Sequence, residues 1–206
     1  MSTKERKILE KENRKEHILN AAMYVMEQHG IFGLSIDLIA KETDLAKGTI
    51  YLYFKSKEEI LSTLSLKARK MLLEEFKKIK NMNLSGINEI KQIVIENFNF
   101  YKKSPLNYNL VSLYEVNNNL IETEQIANVG TEITAVVVGM LEKAKSEGTL
   151  NKNIDALNFT FCLWGMTMGM IQLINVRGHL MQQELGLTEE TLLNNYLQSL
   201  EFGITN

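Results

Sequence analysis

A single proline, Pro105, occurs in the whole 206-residue chain, and glycines are few. Proline removes a backbone donor and clashes inside a helix, so its near-absence leaves long stretches that nothing interrupts. In those stretches apolar residues recur every three or four positions, and no segment needs a strand. An all-α fold is expected. Hydrophobic residues make up 45% of the chain, which allows a substantial core, and the length suits a small domain followed by a larger one. We place the first at residues 1–56 and the second at residues 57–206.

Residues 1–13 mix lysines and arginine with glutamates and read as a loose or partly helical arm, either a solubilising terminus or a segment that tracks a DNA backbone. Arg14 to His29 is amphipathic and stops at Gly30. Further on, Lys57 to about residue 80 forms a long helix, and residues 81–86 form a break. Ile87 to Lys103 carries Ile90, Val94, Asn97, Phe98 and Tyr101 along one side. Ser104-Pro105 opens a helix that fades at Asn117-Asn118-Asn119. Thr123 to Glu147 ends at Gly148, Asp155 caps the most hydrophobic helix, which extends to Arg177-Gly178, and Thr188-Glu189-Glu190 opens the last.

The informative stretch is Ser35 to Lys57. Ser35 can cap a helix whose Ile36, Ile39 and Ala40 share a side. Thr43-Asp44 interrupts it, since Asp tolerates the left-handed conformation of a sharp turn. In the next helix Ala46, Ile50 and Phe54 are expected to form a buried row, leaving Lys47, Gly48, Thr49, Tyr51 and Leu52 outward and Tyr53 at the margin. Between Leu45 and Lys57 there are three lysines and no carboxylate, although the chain has a net charge of −2. Residues 1–57 hold ten Lys/Arg against eight Asp/Glu. Such a face suits phosphate oxygens, and Gly48 permits close backbone approach. Ser56 and Glu59 form a capping box, and the free N–H groups of the helix they open, beside Lys57, could hold a phosphate. Two readings fit this pattern: a helix-turn-helix for a major groove, and a surface hairpin with solvated lysines.

The run from Ala46 to Ile60, AKGTIYLYFKSKEEI, with His17–Ala22, Gly33-Leu34-Ser35 and Ile39-Ala40 upstream, resembles the signature of the TetR/AcrR family of bacterial transcriptional repressors over residues 14–61. Thr43-Asp44 stands where that family usually has Ala-Gly, and Ala46 where a small polar residue is common. The resemblance implies an N-terminal three-helix DNA-binding domain and a C-terminal helical domain for dimerisation and effector binding. It also implies a homodimer formed by the last two long helices, on double-stranded operator DNA. Two recognition helices would then sit roughly 34–36 Å apart. By the same resemblance Ser35, Lys47, Gly48, Thr49, Tyr51, Tyr53 and Lys57 are the DNA-binding residues, and Leu52 could touch a thymine methyl.

For the second domain the resemblance implies a small-molecule pocket. Phe98, Tyr101, Tyr114, Trp164 and Met168 are its candidate lining, suited as a set to a lipophilic effector, although at any single position such a residue is more often core. Residues 155–176 are apolar nearly all round. One side has Leu157, Phe161, Trp164, Met168 and Ile171, and another has Cys162, Gly165, Gly169 and Val176. Close packing within the monomer, a subunit interface and room for a ligand all account for Gly165 and Gly169. The segment 159–176 is nearest to a membrane span, but its polar residues favour a buried core helix, and no membrane is expected as a partner. The charged first 17 residues do not read as a leader, and the lone Cys162, expected to be inert packing, suits a reducing cytoplasm. Catalysis, metal and cofactor motifs are lacking: no Glu-x-x-His pair, no zinc spacing, no phosphate loop. A non-enzymatic regulator is the expectation. The alternative is a helical ligand-binding or scaffold protein whose hairpin meets a protein partner.

Overall fold

A computed structural model describes residues 2–82, 84–117 and 120–205. The expected fading at Asn118-Asn119 lies outside the described residues. Among them every regular element is helical: α1 (Thr3–His29), α2 (Ile36–Thr43), α3 (Lys47–Tyr51), α4 (Lys57–Lys80), α5 (Gly86–Lys103), α6 (Pro105–Val111), α7 (Glu124–Ser146), α8 (Ala156–Leu185) and α9 (Glu189–Ile204), with a 3-10 turn at Ile31–Gly33.

The chain forms two compact units, Met1–Ala68 with Leu106–Ile126, and Arg69–Pro105 with Ala127–Asn206. These differ from the expected division at residues 56 and 57. The first unit keeps the opening turns of α4 and takes in the segment after Pro105, where the Ser65 hydroxyl donates to the Leu110 carbonyl at 2.8 Å. Its core is Ile18, Ala22, Met26, Leu34, Ile39, Ile50 and Phe54.

Helix α1 begins eleven residues before the expected start at Arg14. The cause is a capping box at the very start: the Ser2 hydroxyl accepts from the Glu5 N–H, and the Glu5 carboxylate accepts from the Ser2 N–H. Gly30, at φ 74°, ends the helix as expected.

In the second unit α5 packs on α8 and α9. Gly86 opens α5 against the end of α7: a Cβ there would lie 2.3 Å from the Ala144 Cα. The Gly86 N–H donates to Glu147 at 2.7 Å, so a carboxylate from the turn just after α7 caps α5. Beside it Lys143 donates to the buried Glu89 at 2.8 Å and to the Leu84 carbonyl at 3.0 Å.

Helix α8 departs from expectation in length and in burial. It continues through Arg177-Gly178 to Leu185 and ends at Gly186, which takes the left-handed conformation. By length and composition it could cross a membrane, yet only 28% of its apolar window is buried, so it is not the core helix expected. Ala156, Thr160, Leu163, Thr167, Ile171 and Ile174 face inward; Leu157, Phe161, Cys162, Gly165, Gly169 and Val176 are exposed. The Cys162 thiol is therefore not inert packing.

Candidate nucleic-acid interface

The turn between α2 and α3 forms as its residues dictate. Asp44 sits at φ 53°, ψ 35°, the only non-glycine with positive φ among the described residues, and closes α2 by donating its N–H to Ala40. Thr43 turns inward, its hydroxyl donating to the Ile39 carbonyl at 2.8 Å. At the other end the Ser35 hydroxyl accepts from the Leu38 N–H at 3.2 Å. Acceptance uses its lone pair and leaves the O–H free to donate to a phosphate oxygen.

Helix α3 is a short ledge anchored by Ile50, fully buried, and Phe54 just beyond it. Ala46 is not part of this seam. It is the N-cap, in extended conformation, and is exposed, because α3 starts one residue later than the buried row required. The outward set is otherwise as expected: Tyr51 is 52% and Leu52 79% exposed, Lys47 and Gly48 are exposed, and Thr49 and Tyr53 are half-buried.

Gly48 has an ordinary helical φ, and a Cβ built on it meets nothing within 4 Å. The fold does not require glycine there, so the gap is available to something outside the chain. Sequence reasoning missed the partner of Lys47: its ammonium is ion-paired with Asp37 in the first turn of α2, and both side chains are exposed. That hydrogen bond and charge raise the Lys47 pKa above its ordinary value. Spacing could not reveal the pair, since it depends on how the turn folds α3 back on α2.

The start of α4 is less open than the sequence suggests. Ser56 accepts from the Glu59 N–H at 3.3 Å, one half of the expected box, but the Glu59 carboxylate reaches the Lys55 N–H at 2.5 Å instead of that of Ser56. The Glu58 carboxyl is held below its usual range by its own N–H and by Ser56. Two carboxylates thus already accept from N–H groups at this end, and beside them stands the half-buried Lys57 side chain.

A three-helix unit with this ledge is matched over residues 18–64 by the family model described as "Bacterial regulatory proteins, tetR family". Residues 18–64 belong to the TetR family of bacterial regulatory proteins. Its relatives include the fatty acid metabolism regulator protein of Bacillus subtilis, 24% identical over 139 residues, which span 67% of this chain and 71% of that protein. An uncharacterised helix-turn-helix transcriptional regulator of the same organism, YhgD, is 41% identical over 66 residues, 31% of this chain and 35% of that one. Among solved structures, the transcriptional regulator FadR of Bacillus subtilis in complex with stearoyl-CoA superposes with a TM-score of 0.74 at 21% identity, covering 92% of this chain and 98% of that one. The last likeness shows the fold. With this domain and these relatives the chain is a transcriptional regulator, not an enzyme, and its all-α arrangement with an N-terminal helix-turn-helix is that of the family matched.

The effector candidates divide between the units. Tyr114 lies in the first, in the turn after α6, and the other four lie in the second. Phe98 is buried on α5, while Trp164 and Met168 are half-buried on α8. Tyr101 of α5 donates its hydroxyl to Asn175 of α8 at 2.8 Å, and burial with the nearby Glu189 charge raises its pKa.

Proposed function

We propose that the protein is a cytoplasmic homodimeric repressor that leaves its operator when a lipophilic effector binds residues 57–206. The observation that carries this is the exposed Lys47–Tyr53 ledge, fixed from beneath by Ile50 and Phe54 and left unobstructed at Gly48. Lys47, Gly48, Thr49 and Tyr51 line the groove; Ser35, Thr49, Tyr51, Tyr53 and Lys57 hold phosphates. Residues 1–56 act as the reading head.

The exposed side of α8 supports the dimer. Phe161, Gly165, Gly169, Leu173, Val176 and Leu180 follow at intervals of three or four, so they form one stripe along the helix. At 61% and 66% exposure, Phe161 and Val176 would leave an apolar strip in water. A Cβ on Gly165 or Gly169 meets nothing within 4 Å, leaving room for a second backbone. The inward side carries Thr160 and Thr167, the latter bonded to Tyr196 of α9 at 3.0 Å, so this helix is two-sided and packs between its own unit and a partner helix. That favours a subunit interface over a membrane span.

An acyl thioester is the effector class we favour. One relative is a fatty acid metabolism regulator and a fold neighbour holds stearoyl-CoA. The α5–α8 seam at Phe98, Tyr101, Trp164 and Met168 offers apolar walls with polar tips. Binding there shifts the population toward a form in which α4 carries the two reading heads off one-turn spacing, provided the effector prefers that form. The test is an anisotropy titration of the duplex upstream of the gene, with and without long-chain acyl-CoA. We expect binding that weakens with salt and is reversed by acyl-CoA; no salt-dependent binding to any duplex would end the repressor reading.

A further inference from the structure

The helical start of α1 separates its charges. Lys4, Lys7, Lys11 and Arg14 recur at intervals of three, four and three, which keeps them within about a quarter of the helix circumference at 3.6 residues per turn. Glu5, Glu12 and Glu16 lie on the other side. The neutralised charges are off the row: Arg6 meets Glu10 at 3.0 Å, Lys15 lies 3.9 Å from Glu12, and Glu16 is taken by Lys67 at 2.6 Å. Among the described residues no carboxylate lies within ion-pair distance of the four in the row.

Like charges four apart on a helix repel, as Lys7 and Lys11 do here, and an anion along the row relieves that. The row also adjoins the reading ledge. Lys7, Lys11 and Arg14 line an open groove of 670 Å³ whose other wall includes Leu52 and Tyr53, while Glu10 at its edge is already engaged by Arg6.

We propose that this row is a second clamp on the DNA backbone, holding the phosphates that flank the groove read by α3. The inference rests on the DNA-binding reading above. From Lys4 to Arg14 the helix rises about 15 Å, the rise of roughly four base pairs. Charge complementarity and continuity with the ledge select duplex phosphate as the occupant.

The experiment measures binding of the full chain to two labelled duplexes, the upstream region and an unrelated sequence of equal length, across a salt series. Lys7→Ala/Lys11→Ala should lower the magnitude of the log–log salt slope by about 1.8 per bound subunit on both duplexes, from roughly 0.9 per phosphate contact. Alanine favours helix, so circular dichroism should be unchanged. The charge-matched Lys77→Ala/Lys78→Ala should leave the slope as it was. An unchanged slope for Lys7→Ala/Lys11→Ala, with the wild type still binding, overturns the clamp alone. A wild type that binds neither duplex overturns both the clamp and the regulator reading.

Discussion

Two exposed surfaces of this molecule are built in the same way and have opposite chemistry. The ledge at Lys47–Tyr53 and the outer side of α8 each stand on a buried row, and each leaves unfilled space at glycine, Gly48 in the first and Gly165 and Gly169 in the second. The first carries ammonium and hydroxyl groups, the second Phe161, Leu173 and Val176. A hydrated, anionic ligand suits the former and another apolar helix suits the latter. Gly86 is the counterexample: there the chain occupies the space itself, through Ala144. The three open helical glycines, Gly48, Gly165 and Gly169, leave space that the chain does not use, whereas Gly86 is pressed against its own chain.

The largest expected effect falls on α8. Phe161→Asp would place an uncompensated charge in the proposed interface and should weaken self-association by roughly 3 kcal/mol, over a hundredfold in dissociation constant, by analytical ultracentrifugation. A monomeric wild type would remove the comparison at its root. Next, Gly86→Ala should lose about 2–3 kcal/mol of stability in urea unfolding, because the added methyl meets the Ala144 backbone. Gly165→Ala should instead leave the isolated subunit as stable or slightly more so; equal losses at both sites would show that their surroundings do not differ as described.

On the ledge, Gly48→Ala should raise thermal stability by up to about 1 kcal/mol through helix propensity, yet weaken DNA binding about tenfold, near 1.4 kcal/mol. Tighter or equal binding would mean that no backbone approaches there. The smallest effect is that of Asp37→Asn. It frees Lys47 from an exposed ion pair and should tighten DNA binding by no more than a few-fold in the same anisotropy assay. Because Asp37 raises the Lys47 pKa, the stabilisation from this pair is complete below the ordinary lysine value of 10.5 and lost only as pH rises through the raised one. The contribution of Lys47 to binding should therefore be flat between about pH 6 and pH 9.

Local chemistry in the sequence was a good guide where one residue decides the outcome. Asp44 at the turn, Ser35 at its cap, and Gly30 and Gly148 as stops follow from conformational preference alone. The reach of α1 to Thr3 was also local, but its signal, Ser2 with Glu5, lay in a charged segment whose lack of an apolar face suggested an arm. Ala46 was misplaced because a three-residue row at i, i+4 presumes a helix that has already begun. The Lys47–Asp37 pair, the Glu147 cap on α5 and the one-sided burial of α8 depend on which elements meet, and periodicity does not encode that. The family resemblance supplied the reading of the ledge, while the openness around Gly48 required coordinates.

The hydroxyl of Ser35 has one further implication. Serine, aspartate and asparagine are about equal as helix caps, and this chain uses aspartate at the start of α8. For α2 the fold alone would accept either sign of preference, but an approaching polyanion would not. Ser35→Asp should thus leave the melting curve nearly untouched while repelling the nucleic acid, so that the choice among interchangeable caps records what lies outside the protein.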